Sequence, residues 1–207
     1  MKLTKIEPKY LKKHNPRVGL ITLASDFRIE KDFNNVIYGK DIDLYCNRIK
    51  CYNPLTNETL KKMADDIPDV TKEILPDQKL DCVAYGCTSG TIAVGYQSIF
   101  EKVNLVKPNT KVTTPITSAI NALKALGINN LSIFTPYTDE INQSVINYFK
   151  IEGGIEIKEL SYFFVTCFIF LASLVGFWFF NFLGGFCCFY PLTVTSAFLN
   201  SLQIYFC

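Results

Sequence analysis

A single histidine, His14, occurs among the 207 residues, and it stands in a basic leader, residues 1–16. Its isolation removes the usual partner of a Ser-His-Asp triad, of a Cys-His pair and of most zinc sites. Any reaction must then run on cysteine, hydroxyls, carboxylates or backbone amides. No dense basic face is evident beyond "MKLTKIEPKYLKKHNPR", and the formal net charge is only +2, so nucleic acid is not an expected partner. That leader also lacks the apolar stretch of a secretory signal. With irregular spacing and no export signal, the eight cysteines read as free thiols of a reducing, cytoplasmic compartment.

Charge is missing from one end of the chain. The 21 basic and 19 acidic residues all precede Leu160, whereas twelve of the 17 phenylalanines and half of the cysteines follow it. Such a break is foreign to one folded domain with one surface, because even buried elements usually carry charges at their exposed ends. Three readings of the tail, residues 161–207, stay open. Residues 162–189 exceed the roughly 20 apolar residues that cross a bilayer, which would make the protein membrane-associated, although no Lys or Arg flank follows. The others are an out-of-frame product that replaces an ordinary amphipathic sequence, and a very apolar core.

What precedes the tail alternates between strand and helix. "RVGLITLA" (17–24) is an apolar run suited to a buried parallel strand, and "DIDLYCNRIKCY" (41–52) can supply a second. The segment 57–75 has Leu60, Met63, Ala64 and Ile67 at helical spacing, with Pro68 as a kink or break. A strand over 80–87 and a helix over 90–103 follow. The order then repeats: a short strand at 110–115, a helix at 116–127 capped by Ser or Thr and ended by Gly127, a strand at 130–136, a helix over 137–154 and a strand from 155. Short connections between such elements predict an α/β fold, with parallel sheet covered by helices and ligands at the carboxyl ends of the strands.

Three polar clusters fall at those ends: Ser25-Asp26, Cys87-Thr88-Ser89 and Thr135-Pro136-Tyr137. In "DCVAYGCTSG" a thiol closes a strand and faces a helix start, where the positive end of the helix dipole favours thiolate. The amides and hydroxyls of Thr88 and Ser89 suit a carboxylate. Together they are equipped to deprotonate, or add to, a carbon next to a carboxylate while holding the developing enediolate. The plainer alternative is a small buried cysteine in a strand. Tyr137 either donates to a substrate oxygen or serves as a helix-entry aromatic, and Asp26 either orients substrate or precedes a helix. Thr117 and Ser118 read first as helix-capping residues. Cys46 and Cys51 are followed by no second ligand pair, so no metal site is expected, and with Cys82 they read as structural thiols.

Taken together, "RVGLITLASDFRIEKDF", "DCVAYGCTSG" and "TPITSAINALKALGINNLSIFTPYTDEINQSVINYF" resemble the aspartate/glutamate racemase superfamily, in the branch of maleate cis-trans isomerase, arylmalonate decarboxylase and ectoine-utilisation proteins. The resemblance covers about residues 16–158. It implies two pseudo-symmetric, flavodoxin-like α/β lobes, here 17–114 and 115–160, with the second incomplete or aberrant. It implies a cofactor-independent, cysteine-dependent isomerisation, racemisation or decarboxylation of a small mono- or dicarboxylic acid. Cys87 would be the first-lobe nucleophile or proton carrier, Thr88 and Ser89 would bind a carboxylate, and Tyr137 would hydrogen-bond to it. Asp26 falls where maleate isomerases have asparagine, and arylmalonate decarboxylases have glycine at the position of Cys87. The second-lobe Ser-Cys-Thr turn of the family has no counterpart after residue 160, which favours the altered-frame reading of the tail and leaves this chain's activity in question. Homo-oligomerisation is left open. The competing reading is a membrane-tethered small-acid-binding protein without catalysis.

Overall fold

The computed structural model describes residues 3–7 and 14–162. The apolar tail, and with it the membrane-segment and altered-frame readings of 162–189, lies outside the described residues beyond Tyr162. Among the described residues no helix is long and apolar enough to cross a membrane.

The first half of the chain builds a four-stranded, wholly parallel sheet. Its strands are β1 (Arg17–Leu23), β2 (Asp43–Ile49), β3 (Cys82–Tyr85) and β4 (Lys111–Thr113), in the order β2-β1-β3-β4. The chain therefore winds outward from β1 in one direction and from β3 in the other. β1 is paired over seven positions with β2, from Arg17↔Asp43 to Leu23↔Ile49, and Ile21 also pairs with Tyr85 of β3. Between β1 and β3 lies the topological switch point, the position at which open α/β sheets take their ligands.

Helices cover both faces of this sheet. Strand alternation sends Val18, Leu20, Cys82 and Ala84 to one face, where Phe33 of α1 (Ile29–Ile37) packs on them. α1 was not singled out by periodicity; its polar face carries Glu30, Lys31 and Asn34, and only Asp32 and Phe33 are buried. The opposite face carries Ile21, Val83, Tyr85 and Cys87 against Leu60, Met63 and Ala64 of α2 (Asn57–Asp65), Ile67 of α3 (Ile67–Lys72) and Ile99 and Val103 of α5 (Tyr96–Val106).

Two long helices expected from the sequence are each divided. The segment 57–75 breaks after Asp65, with Pro68 in the first turn of α3, where its missing N–H costs nothing. The helix expected over 90–103 starts earlier, at α4 (Thr88–Val94), and is interrupted by Gly95, whose φ of +81° suits a residue without a side chain.

The second half contributes α6 (Pro115–Ala125), β5 (Asn130–Thr135), α7 (Asp139–Tyr148), a π-helical turn at Phe149–Gly153 and β6 (Glu156–Tyr162). α6 begins in a reciprocal cap between Thr114 and Thr117, and ends where the amides of Gly127 and Ile128 bond back to the Lys124 and Leu123 carbonyls. β5 and β6 form a separate parallel pair. Leu131, Ile133, Ile141, Val145 and Phe149 join the same buried cluster as Tyr85 and Cys87, so one core runs beneath both sheets. This is an α/β fold of parallel sheets flanked by helices.

Candidate active site

Cys87 is separated from β3 by Gly86 alone and serves as the residue that caps α4. Its backbone is still extended (φ −128°, ψ 110°), so the side chain turns back over the first helical turn, where the Gly90 amide donates to Sγ at 3.2 Å. Ser89 Oγ stands 3.7 Å from the same sulfur. The Cys87 carbonyl accepts from the Thr91 hydroxyl at 2.7 Å, which fixes the turn from behind. The motif "GCTSG" thus does three things locally: it ends a strand, caps a helix through sulfur and lays hydroxyls beside it.

Cys87 is only 3% exposed. Burial pushes the thiol above its ordinary value, more than the Gly90 amide and the Ser89 and Tyr85 hydroxyls pull it down. This corrects the expectation that the helix start alone would favour thiolate: for a buried sulfur, desolvation wins over the dipole.

Tyr137 reaches the same cluster from the loop after β5. Its ring packs on the shared core, and its hydroxyl is set among Cys87, Ser89 and Thr88. Burial, reinforced by the nearby sulfur, holds the phenol in its protonated form, against the opposing pull of the Ser89 and Thr88 hydroxyls. The turn that carries it is pinned by Asn142, a buried residue of α7. The Asn142 side chain accepts from the Thr135 hydroxyl and donates to the Tyr137 carbonyl at 3.1 Å. Thr88, Ser89, Cys87 and Tyr137 are therefore brought together from two separate strand ends.

Asp26 is held differently. Its Oδ1 accepts from the amides of Arg28 (2.7 Å) and Ile29 (2.9 Å), so the carboxylate closes the start of α1. Arg48, on β2, ties that loop down by donating to the carbonyls of Leu23 at 3.2 Å, Ala24 at 3.4 Å and Asp26, and it pairs with Glu30 at 2.7 Å. The loop still borders the switch point, one strand away from Cys87.

Of the remaining thiols among the described residues, all free, Cys82 is buried under α1 and pushed up to about 12 by that burial. Cys46 is raised to about 11, chiefly by its partial burial. Cys51, half-buried beyond β2, faces the same side as Cys87 and lies within electrostatic reach of both Cys87 and Tyr85. No group of three or more His, Cys, Asp or Glu side chains among the described residues is arranged to hold a metal ion.

The sequence reading missed Tyr85, Asn142 and Arg48. Tyr85 looked like one more apolar strand residue. Asn142 offers a signal in retrospect, as an amide between Ile141 and Val145 on the buried face of a helix. Arg48 offers none, because a cation on an edge strand ordinarily faces water.

No protein-family model matches the chain, and no curated protein matches it. Solved structures do. The maleate isomerase of Pseudomonas putida S16 superimposes with a TM-score of 0.64 at 23% identity, over 72% of this chain and 64% of that one. Nocardia farcinica maleate cis-trans isomerase, in a mutant form with a covalently bound succinylcysteine intermediate, gives 0.63 at 19% identity over the same shares. Unliganded arylmalonate decarboxylase gives 0.52 at 16% identity, over 74% of this chain and 63% of that one. The chain spans somewhat less than two thirds of the length of these structures, and what it shares with them is the fold.

Proposed function

We propose that this chain is a racemase-superfamily enzyme of the maleate isomerase type, acting without a cofactor on a small mono- or dicarboxylic acid through Cys87. The observation that carries the reading is the convergence of the Gly90 amide and the Ser89 hydroxyl on one sulfur, with the Tyr137 hydroxyl held beside Ser89 and Thr88, at the switch point of a fold shared with maleate isomerases. The cysteine itself favours the isomerase or racemase side over decarboxylation.

The chemistry follows from the parts. Thr88, Ser89 and Tyr137 present hydroxyls to one carboxylate, and a carboxylate next to a double bond makes that bond electrophilic. The thiol gives up its proton, and Sγ forms a bond to one alkene carbon. The π electrons move to the other carbon, where the carboxylate holds them as an enediolate, and one proton is taken up there to give a succinyl thioether. Rotation about the new single bond, loss of one proton and expulsion of the thiolate complete a cis-to-trans change. The cycle is redox-neutral and consumes no co-reactant. It parallels the succinylcysteine present in the Nocardia farcinica structure.

The deciding experiment incubates the purified chain with maleate, with aryl-substituted malonates and with aspartate and glutamate in deuterated water, and follows products and deuterium incorporation by NMR. Formation of fumarate, abolished in Cys87→Ser, is expected. Turnover that survives Cys87→Ser, or a folded protein with no turnover and no covalent adduct on Cys87, overturns the reading.

A further inference from the structure

Tyr85, the last residue of β3, is 0% exposed, yet its hydroxyl makes no well-formed hydrogen bond, and the group within its reach is the Cys87 sulfur, whose negative charge it favours. Two residues along the same strand direction, Cys87 points to the same face. The two polar atoms converge. A methyl group added to Gly90 would lie 2.7 Å from Tyr85 Oη and 2.9 Å from Cys87 Sγ, so hydroxyl and sulfur press on the same side of one α-carbon.

A phenylalanine would fill this space without burying a dry hydroxyl, which is costly unless the hydroxyl finds an acceptor at some stage. The adjacent sulfur is such an acceptor in one state only. A neutral thiol accepts weakly, and its resting position is already engaged by Gly90 N–H. A thiolate accepts strongly and from several donors at once. The titratable groups facing the sulfur are Tyr85 on β3, Cys51 beyond β2 and Tyr137 beyond β5, each uncharged in its protonated form. Stabilisation of charge at Sγ therefore falls to hydrogen bonds.

We propose that Tyr85 is a positioning residue that donates its O–H to the Cys87 sulfur whenever that sulfur carries negative charge, completing a cradle with Gly90 N–H and Ser89 O–H. Tyr85 keeps its proton throughout. Its bond to sulfur weakens as the C–S bond forms and returns as the thiolate is expelled, which steadies both ends of the cycle. The inference rests on Cys87 being the reacting thiol and says how that thiol is activated.

The test is the ultraviolet absorbance of the thiolate across pH, taken as the difference between the full chain and its Cys87→Ser counterpart, in the parent and in a Tyr85→Phe background. The Cys87 midpoint is expected to rise by about one unit in Tyr85→Phe, roughly a tenfold loss of thiolate at a given pH. Thermal unfolding checks that Tyr85→Phe folds, and kcat is expected to fall about tenfold with KM little changed. An unchanged midpoint, or a parent Cys87 that does not titrate before the fold opens, overturns the proposal. Because the titration needs no substrate, it decides the role of Tyr85 even where Cys87→Ser shows that turnover does not depend on the thiol.

Discussion

The amide of Gly90 and the sulfur of Cys87 meet at 3.2 Å, and the missing side chain of Gly90 is what lets them. A Cβ there would stand 2.9 Å from Sγ, 2.7 Å from Tyr85 Oη and 3.1 Å from Met63 Cε, and all three neighbours are locked in the core. Gly90→Ala gains about 1 kcal/mol of helix propensity but overpacks the site by about 3 kcal/mol, the upper end of the usual range. A net loss of about 2 kcal/mol is expected in urea unfolding, together with a slower alkylation of Cys87 as the sulfur loses its donor.

Tyr137 gives a prediction of the opposite kind, large in activity and small in stability. Its hydroxyl belongs to the cluster of Thr88 and Ser89 and lies within electrostatic reach of Cys87, whereas its ring supplies the packing. Tyr137→Phe keeps the ring and, under the proposed function, removes a hydrogen bond to the substrate carboxylate, worth about 1.5–3 kcal/mol. A fall of roughly tenfold to a hundredfold in kcat/KM is expected, with an unchanged unfolding midpoint. If unfolding shifts and activity does not, Tyr137 is only a helix-entry aromatic.

Alkaline pH tests the buried thiols. Cys82 is raised from 9.0 to about 12 by burial, so between these values the unfolded chain has lost a proton that the folded chain keeps. The slope of stability with pH is then negative. The contribution is full below pH 9.0 and is lost as pH rises toward about 12, amounting to about 4 kcal/mol across the window. Cys87, raised by the same cause, acts in the same direction. Urea unfolding followed from neutral to alkaline pH is expected to show this decline, with a flatter profile in Cys82→Ala.

Strand identity and parallel pairing were legible because apolar runs such as 17–24 leave no other use for their side chains, whereas the start of α6, read at Thr117 and Ser118, falls three residues earlier at the Thr114 cap. The site was legible where chemistry and local structure coincide, as in Cys87 with Thr88 and Ser89. It was not legible where a group acts through burial. At Cys87 desolvation outweighs the helix dipole, and a sequence does not say how deep its thiol will sit. Tyr85 reads as apolar filling until its hydroxyl is found beside sulfur without a well-formed hydrogen bond. Asn142 and Arg48 act on loops distant in sequence, and only the folded register brings them there.

The same distinction separates two uses of Asp26. Its Oδ1 is occupied by the Arg28 and Ile29 amides, a role that an asparagine carbonyl performs equally well, whereas alanine cannot. Asp26→Asn is therefore expected to unfold at the parent midpoint and Asp26→Ala to lose about 1 kcal/mol. Activity discriminates further. The loop lies at the carboxyl end of β1, held by Arg48 and beside the β3 end from which Cys87 would meet a dicarboxylate under the proposed function. A negative charge there opposes a dianion, so Asp26→Asn is expected to raise kcat/KM for maleate severalfold, more at low ionic strength than at high. An effect of equal size on a neutral substrate analogue, or none at either ionic strength, would confine Asp26 to closing the first turn of α1.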